Sequence, residues 1–544
     1  MTEKIAFISV YHKDGIEKFA SELVALGWKI MSSSGTANYL KERNIETIDL
    51  ADFVGKPILG HRVVSLSREF YAMILTRMDN MEDVKELNAL GLPFISLVYC
   101  DMYPLQKEIE KGSKHEEIIE KIDIGGPTML RAAAKAGRIV IGDKMDADRV
   151  IKWLKDGMPE EENFKRELAG KAEFLVGKYC MISANYLSNG KYETIFGSHI
   201  SNSVYGENAY QAPSKVFQTN ESRFSPDKFK LLTETPLSYN NFCDRDKILQ
   251  TITHISAGFE INFGERAPYI AIAVKHGNAC GVGLGAKPME ALEKMIEGDV
   301  RAIHGGSIFT NFKIDEEEAE TLIHYRVENN GRRLLDTVTA PDFSNIAVEI
   351  LARKKGKCRI VMNNNLADIR VEDLDRNIRE RFIRDGFLTQ PNYTFVPNFK
   401  DAEVAGEKNI LENKNVLSDL ILAWGIGCTS NSNTITIVKN GKLIGNGVGQ
   451  QDRVGAAKLA IMRADDASES LKLGANADLR DTVAYSDSFF PFADGPKVLI
   501  DRGVKIIFAT SGSINDKEVI DSCTKAGATM VLFPDKQARG FAWH

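Results

Sequence analysis

A lysine, a histidine and an asparagine lie within four consecutive positions, Lys275-His276-Gly277-Asn278. They offer a cation, an acid/base group and a hydrogen-bonding amide, which together could move a proton and stabilise developing negative charge. Residues 271–274 are small or branched apolar residues and predict a buried strand that ends at Lys275. Glycines at positions 277, 281, 283 and 285 predict backbone turns after that strand. A solvated loop without chemistry would carry the same residues, so this stretch alone leaves both interpretations open.

The composition is that of a globular protein with more than one domain. The 544 residues are 43% hydrophobic and 26% charged, and the net charge is -6. A negative net charge is not typical of proteins that bind nucleic acid or an anionic membrane. The sequence also has no apolar run long enough to span a membrane. We therefore expect small anionic ligands, with neither a nucleic acid nor a membrane as partner.

The seven cysteines are scattered, odd in number and without a C-x-x-C pair. This pattern argues against a disulfide framework and against a structural zinc site, so no metal is expected. The first residues contain one short apolar strand where a signal peptide needs a longer apolar region. These features together favour a cytoplasmic protein.

The first half of the chain alternates predicted strands and helices. Residues 5–10 predict a strand, a helix with an apolar face follows, and residues 28–32 predict a second strand. Residues 32–36 then bring hydroxyl groups and free backbone N–H groups to the start of a helix predicted over 37–43. They fit an anion site or a simple helix cap equally well.

A second polar cluster is predicted farther along the same α/β pattern. Strands are predicted over 46–50 and 93–99, and a helix over 105–121. Asp123 then precedes Gly125-Gly126-Pro127, which predicts the start of a helix with Lys135 two to three turns along it. A helix cap for Asp123 and a solvated position for Lys135 are the plain alternatives.

These motifs together resemble the cyclohydrolase domain of the AICAR formyltransferase/IMP cyclohydrolase family. The resemblance rests on residues 8–15, 34–36, 103–104, 123–126 and 131–135. It implies an α/β fold like that of methylglyoxal synthase. By the same resemblance, Tyr103, Asp123 and Lys135 act in purine ring closure, and the residues at the nucleotide phosphate are Lys13, Ser34, Gly35 and Thr36.

One position of the ring-closing motif departs from the family. The family reads G-R-V-K-T-L-H-P where residues 61–68 of this chain read His-Arg-Val-Val-Ser-Leu-Ser-Arg. Val64 thus stands at the lysine position and Ser67 at the histidine position, and a valine holds no charge. Three hypotheses follow. Ring closure is impaired, or Arg68 or the substrate-binding candidate Arg62 takes the place of the missing lysine. The third is that the domain only binds nucleotide.

The boundary between the two predicted domains lies near residue 197. Residues 160–187 are helical in pattern, and glycines at 190 and 197 end the connecting region. We predict a cyclohydrolase-like domain over 1–197 and a formyltransferase domain over 198–544, with no internal repeat evident. The family resemblance implies a cytidine-deaminase-like fold for the second domain.

The second half carries the formyltransferase motifs. Residues 275–281 match K-H-x-N-P-C-G except for Ala279, and residues 205–208 match part of R-Y-G-E-N-P-H-Q. Val204 replaces the arginine of that second motif, which puts nucleotide affinity in doubt. By resemblance, His276 takes the amine proton, Lys275 protonates the leaving folate nitrogen, and Asn433 bonds the formyl oxygen. Tyr205 and Asn208 are the matching substrate-binding residues.

Further matches lie near the C-terminus. Asn440-Gly441 between two alternating runs predicts a hairpin, and residues 449–453 open a helix. Residues 485–495 resemble S-D-A-F-F-P-F, although aromatic runs are more often core than ligand clamp. By resemblance, the folate-binding residues are Phe489, Phe492, Asp494 and Ser511, Arg453 and Arg539 hold the nucleotide phosphate, and the tail is ordered through Arg539 and His544.

The resemblance implies transfer of a formyl group from 10-formyltetrahydrofolate, as co-substrate, to AICAR, followed by dehydrative ring closure to IMP. It also implies nucleotide and folate partners and a homodimer. A zinc nucleoside deaminase is disfavoured because H-x-E with a downstream P-C-x-x-C is absent. A nonenzymatic or altered-specificity nucleotide-binding paralogue stays open as the alternative.

Overall fold

The computed structural model describes residues 3–60, 62–328, 331–353 and 356–542. His61 and His544 lie outside these residues. The chain divides into two compact units, Met1–Phe196 and Gly197–His544. Within the described residues no helix is both long and apolar enough to cross a membrane.

The first unit is a parallel sheet with helices around it, in the strand order β3-β2-β1-β4-β5. The strands are β1 Ile5–Ser9, β2 Lys29–Ser32, β3 Thr47–Asp49, β4 Ile95–Cys100 and β5 Ile139–Ile141. The helices are α1 Ile16–Ala25, α2 Ser34–Lys41, α3 Ala51–Val54, α4 Arg68–Leu75, α5 Met81–Ala89, α6 Leu105–Glu110, α7 His115–Glu120, α8 Gly125–Lys135, α9 Ala147–Lys155 and α10 Glu161–Leu187.

The strand order explains where this unit places its polar loops. The chain leaves β1 toward β2 on one side, whereas β4 and β5 lie on the other side of β1. The loops after β1 and β4 therefore meet at the carboxyl edge of the sheet, at the switch point where open α/β sheets bind ligands.

Two predicted helices of this unit are wrong in extent. The helix predicted over 105–121 is two helices, because Gly112 adopts φ 67° and ends the first of them. The helix predicted over 37–43 begins at Ser34, so Ser34, Gly35 and Thr36 form its first turn rather than a loop before it.

The second unit contains a long mixed sheet with the order β16-β21-β20-β19-β17-β18-β10-β9-β11-β12-β13-β8. The strands of this unit are β6 Ser198–Ser203, β7 Ser214–Gln218, β8 Lys230–Leu231, β9 Tyr269–Lys275, β10 Asn278–Gly285, β11 Ser307–Thr310, β12 Thr337–Ala340, β13 Arg359–Met362, β14 Ile378–Ile383, β15 Gly386–Pro391, β16 Glu403–Ala405, β17 Ile435–Lys439, β18 Lys442–Gly447, β19 Val483–Ser486, β20 Ile506–Ser511 and β21 Thr529–Pro534. The helices are α11 Tyr239–Phe263, α12 Pro288–Gly298, α13 Glu316–His324, α14 Asn345–Leu351, α15 Lys414–Gly427, α16 Arg453–Ser470, α17 Asp494–Ile500, α18 Asp516–Lys525 and α19 Asp535–Ala538.

This sheet is built from an internal repeat, which was not predicted from the sequence. Helix α11, hairpin β9–β10 and the alternating elements from α12 to β13 recur as α15, hairpin β17–β18 and the elements from α16 to β21. The two halves meet at the antiparallel pair β10–β18 in the middle of the sheet. The signal in the sequence is the matching glycine spacing 277-281-283 and 441-445-447.

The glycines after the His276 turn serve packing, which corrects the prediction that they form turns. Gly281 and Gly283 lie inside β10, where α12 crosses the strand closely. A Cβ on Gly281 would lie 2.2 Å from the Met295 carbonyl oxygen, and one on Gly283 would lie 2.1 Å from that of Ala291. Gly445 and Gly447 on β18 meet α16 in the same way. Only glycine admits this approach.

Candidate active sites

His276 lies at the tip of the β9–β10 hairpin. His276 and Gly277 adopt φ 53° and 73°, the pair of positive values that a two-residue type I′ turn requires. The Asp244 carboxylate on α11 accepts a hydrogen bond from the Gly277 N–H at 2.9 Å and another from the Ser307 hydroxyl at 3.1 Å. The imidazole is thus exposed on a turn whose backbone is held by Asp244 of α11.

The two neighbours of this turn are held by backbone groups. Lys275 donates from Nζ to the His304 carbonyl at 2.8 Å. Asn278 accepts at Oδ1 from the Asn431 N–H at 3.2 Å, which joins the hairpin to the segment before β17. On that segment Asn433 donates from Nδ2 to the Gln450 carbonyl at 2.9 Å. The structure therefore brings the predicted Lys275, His276 and Asn433 to one surface.

The C-terminal tail crosses the same segment. The Ala542 N–H donates to the Ser430 carbonyl at 3.0 Å, and the Gly540 N–H donates to the Asp487 carbonyl at 3.2 Å. These bonds tie the tail both to the loop beside Asn278 and to the loop after β19. Hydrogen bonds therefore link the hairpin, the two loops and the tail.

The predicted folate residues lie on the loop after β19, at the start of α17 and at the end of β20, and one of them, Phe489, contacts Arg539, which was predicted to hold the nucleotide phosphate. The Arg539 guanidinium lies 5.6 Å from the Phe489 ring centroid and pairs with Asp535 at 2.5 Å, while Ser511 donates to the Phe533 carbonyl at 3.4 Å. Phe492 is 62% exposed, and Asp494 is an exposed residue at the start of α17. An aromatic ring and a guanidinium thus face each other beside an open, partly apolar loop.

Arg453 is held by the loop that carries Phe489. Its guanidinium donates to the Phe489 carbonyl at 2.8 Å and to the carboxylate of Asp487, which is fully buried. These bonds come from Nε and Nη1 of a group with five N–H donors, so binding of a phosphate by Arg453 stays a prediction.

Residues 205–208, which match part of R-Y-G-E-N-P-H-Q, lie on a separate, exposed loop. Asn208 donates from its N–H and from Nδ2 to the Gln211 side-chain oxygen at 2.7 and 3.1 Å, and Tyr205 is 36% exposed. An open groove of about 550 Å³ lies against this loop and includes Tyr239, the first residue of α11. The described hydrogen bonds do not join Tyr205 or Asn208 to the hairpin.

Lys247 was not predicted, yet it lies directly beneath the His276 turn. Its Cγ would lie 3.7 Å from a Cβ on Gly277, and Nζ donates to the carbonyls of Thr429 at 3.3 Å and Ala542 at 3.1 Å. The side chain is buried. Burial, helped by the positive charge of Arg379, lowers the pKa of the Lys247 ammonium to about 7.

Lys247 is expected to make the stability of the protein depend on pH. Between pH 7 and its ordinary pKa, the unfolded chain binds a proton that the folded chain does not, so folding becomes more favourable as pH rises. Relative to Lys247→Met, the wild type should gain about 1.4 kcal/mol of unfolding free energy per pH unit between about pH 7 and 10. Urea unfolding across this range measures the difference.

The matched control for this experiment is Lys458→Met, which removes an exposed lysine from α16 and should leave the pH dependence unchanged. A difference between the wild type and Lys247→Met that stays constant with pH would contradict the assignment.

In the first unit, the predicted phosphate residues cluster around the end of β1. Thr36 Oγ1 accepts from the Val10 N–H at 3.3 Å, and Lys13 donates from Nζ to the Val10 carbonyl at 3.2 Å. The backbones of Ser34 and Gly35 form the first turn of α2, so their N–H groups lie at a helix N-terminus. The side chain of Ser34 is outside what the structure describes.

Tyr103 and Asp123 come together at the carboxyl edge of this sheet. Asp123 accepts from the Gly126 N–H at 2.9 Å, and a Cβ on Gly126 would lie 2.5 Å from its other oxygen. Burial raises the pKa of the Asp123 carboxyl. Burial and the nearby charge of Asp123 raise the pKa of the Tyr103 phenol. A carboxyl group and a neutral phenol therefore share this site.

The other predicted cations do not join this pair. Lys135 is exposed at the last residue of α8, roughly 15 Å along the helix from Gly125. Arg62 pairs with Glu120, and Arg68 pairs with Glu69 at 3.0 Å, both at the exposed surface. That either arginine replaces the lysine missing at Val64 stays a prediction.

Ser67 has a structural role at the histidine position of the motif. Its hydroxyl accepts from the Phe70 N–H at 3.1 Å and caps α4. In the described part of the chain no cluster of three or more His, Cys, Asp or Glu side chains is arranged to hold a metal.

Comparison with known proteins gives matches along nearly the whole chain. A family model described as AICARFT/IMPCHase bienzyme matches residues 133–463, and one described as MGS-like domain matches residues 15–128. Bifunctional purine biosynthesis protein PurH of Caldicellulosiruptor saccharolyticus is 34% identical over 545 residues, which cover 98% of each chain. PurH of Persephonella marina is 32% identical over 97% of this chain and 98% of the relative.

A solved structure titled "Crystal structure of ForH" is 31% identical and covers 34% of this chain and all of that one. Its TM-score of 0.30 is too low for a comparison of the folds.

Proposed function

The chain belongs to the AICARFT/IMPCHase bienzyme family, and we propose that it transfers a formyl group to AICAR and closes the product to IMP in purine biosynthesis. A folate supplies the formyl group, and we assign 10-formyltetrahydrofolate as this co-substrate. The observation that carries the proposal is the hairpin with Lys275, His276 and Asn278, joined by a hydrogen bond to the segment that holds Asn433. A nonenzymatic role is not favoured.

The formyl transfer needs one proton acceptor and one proton donor. The AICAR amine attacks the formyl carbon, a new C–N bond forms, and the bond to the folate nitrogen breaks. We assign His276 to the amine proton and Lys275 to the protonation of the departing folate nitrogen. The Asn433 amide, held at Gln450, donates to the formyl oxygen as charge develops there.

The loop after β19 and the tail supply the proposed folate subsite. Phe489 and Phe492 offer apolar rings, and Asp494 and Ser511 offer polar groups for a pterin. Arg539 lies against Phe489 and is assigned to the nucleotide phosphate beside this subsite. The AICAR subsite would then include Tyr205 and Asn208 beside the open groove.

Ring closure is assigned to the first unit, which is the MGS-like domain. The Asp123 carboxylate accepts a proton from the carboxamide nitrogen, and the Tyr103 hydroxyl forms a hydrogen bond with the formyl oxygen. Lys13 and the first turn of α2 hold the phosphate.

We place the domain boundary near residue 197 and propose that each repeat of the second unit has the deaminase-like fold. Scattered free cysteines in the described chain favour the cytoplasm.

The two half-reactions test this function separately. The full chain with AICAR and 10-formyltetrahydrofolate should yield formyl-AICAR and then IMP, and with formyl-AICAR alone it should yield IMP. Binding of either nucleotide without turnover would contradict the proposal and favour a nucleotide-binding paralogue.

We also propose a homodimer, in which a second copy covers the two-stranded hairpin β14–β15. Its apolar side chains include Ile378, Phe382, Ile383 and Leu388, each more than half exposed. In the register of this pair, Ile378 and Phe382 lie on one face of the hairpin, and Ile383 and Leu388 lie on the other. A lone hairpin is marginal in water, so exposed apolar side chains on both faces favour a covering partner. Arg379 anchors the base of this hairpin to Asp246 at 2.6 Å.

Replacing both Phe382 and Leu388 with serine should convert a dimer into a monomer, because the apolar contact is lost. Light scattering after size exclusion measures the mass. Glu380→Gln on the same hairpin is the control and should stay dimeric. A monomeric wild type, or a double variant that stays dimeric, would refute this interface.

A further inference from the structure

Lys121 lies over the aromatic pair at the ring-closing site. Its Nζ is 5.6 Å from the Tyr103 ring centroid and 5.7 Å from that of Tyr11. The two rings meet edge to face at 5.3 Å. Since these distances fall within the range of cation–π attraction, the rings hold the ammonium at the mouth of the site, beside the Tyr103 phenol.

The backbone around Lys121 is fixed by one tyrosine of α10. Tyr179 donates from its hydroxyl to the Lys121 carbonyl at 3.1 Å and accepts from the Asp123 N–H at 2.7 Å. The same hydroxyl thus sets the positions of the lysine and of the carboxylate. Neither residue can shift without breaking a bond to Tyr179.

Lys121 is also a cation without an ion-pair partner among the described residues. No described carboxylate lies within 4 Å of its Nζ, and its nearby Glu108 is paired with Lys111 at 2.8 Å. Arg62 pairs with Glu120 at the surface, Lys13 is assigned to the phosphate, and Lys135 is at the far end of α8. A closing ring needs positive charge near the oxygen on which negative charge develops.

We propose that Lys121 supplies the cation of the ring-closing site, in the role left empty by Val64. This inference rests on the ring-closing part of the proposed function. The carboxamide nitrogen attacks the formyl carbon and gives a proton to Asp123, while the formyl oxygen gains charge beside the Lys121 ammonium. The oxygen then leaves as water, with one hydrogen from the carboxamide nitrogen and one from the formamide nitrogen.

Val64 gives a direct way to test this role. Val64 is half-buried, and the Oγ of the next residue, Ser65, would lie 3.2 Å from a Cβ on Gly125, the first residue of α8. Position 64 therefore flanks the segment that carries Asp123. A lysine placed there is expected to bring an ammonium group close to this segment.

The experiment measures ring closure of formyl-AICAR and formyl transfer to AICAR by the full chain. Lys121→Met and Lys121→Gln should lower the kcat of ring closure by about 10²-fold and leave formyl transfer and the melting temperature unchanged. Lys107→Met, an exposed lysine of α6, is the control and should change neither reaction. Adding Val64→Lys to Lys121→Met should raise the kcat of ring closure about tenfold above that of Lys121→Met alone.

Ring closure by both Lys121 variants within about threefold of the wild type would overturn the proposal, as would an equal loss in Lys107→Met. A wild type that transfers formyl but never closes the ring would overturn the ring-closing function itself. That outcome is seen before any variant is made, so the two failures are distinct.

Discussion

His276→Asn is expected to lower formyl transfer by about 10³-fold and to leave ring closure unchanged. Asparagine is the suitable replacement because the chain uses it in the equivalent turn, where Asn440 adopts φ 52° against 53° for His276. The Gly277 N–H still reaches Asp244, so the hairpin keeps its shape. The change removes the imidazole and little else, since that side chain is exposed.

The rate of formyl transfer is measured from the release of tetrahydrofolate at saturating AICAR. Asn440→His, at the matching turn of the second repeat, is the control and should leave the rate unaltered. If His276→Asn keeps more than about a tenth of the wild-type rate, another group carries the amine proton.

Asp123→Asn is expected to lower ring closure by about 10³-fold while formyl transfer continues. The amide oxygen can still accept from the Gly126 N–H and has nearly the same volume, so the start of α8 is preserved. The amide cannot accept the carboxamide proton. The effect is therefore on the reaction and not on folding.

The pH dependence of ring closure gives a second measure of Asp123. Burial raises the pKa of this carboxyl, so the reactive carboxylate forms at a higher pH than for an ordinary aspartate. The wild-type rate should rise with pH through that pKa, and the residual rate of Asp123→Asn should lack this rise. Asp148→Asn, an exposed carboxylate on α9, is the control. An unchanged acid limb in Asp123→Asn would assign the proton to another group.

Local patterns in the sequence predicted the turns and strands that depend on neighbouring residues. The hairpin at Asn440-Gly441 is confirmed, because its signal is contained in two residues that adopt positive φ. The strand that ends at Lys275 is confirmed for the same reason, since its apolar run and the following glycine are adjacent.

Long-range contacts account for the predictions that were wrong or missing. Gly283 was assigned to a turn, whereas its lack of a side chain is needed eight residues away, at the Ala291 carbonyl. The contact between Arg453 and Asp487 was missing from the predictions because the two residues are distant in sequence. Lys247 and Lys121 were not predicted, because only the folded chain places them beside the His276 turn and the Tyr103 ring.

We expect one chain to hold two separate active sites that act in sequence. Mixing equal amounts of His276→Asn and Asp123→Asn and following the conversion of AICAR to IMP tests it most directly. Each variant alone should make almost no IMP, with formyl-AICAR accumulating only in Asp123→Asn, and the mixture should form IMP steadily. A mixture as inactive as its components, or a loss of both half-reactions in either variant, would contradict the account.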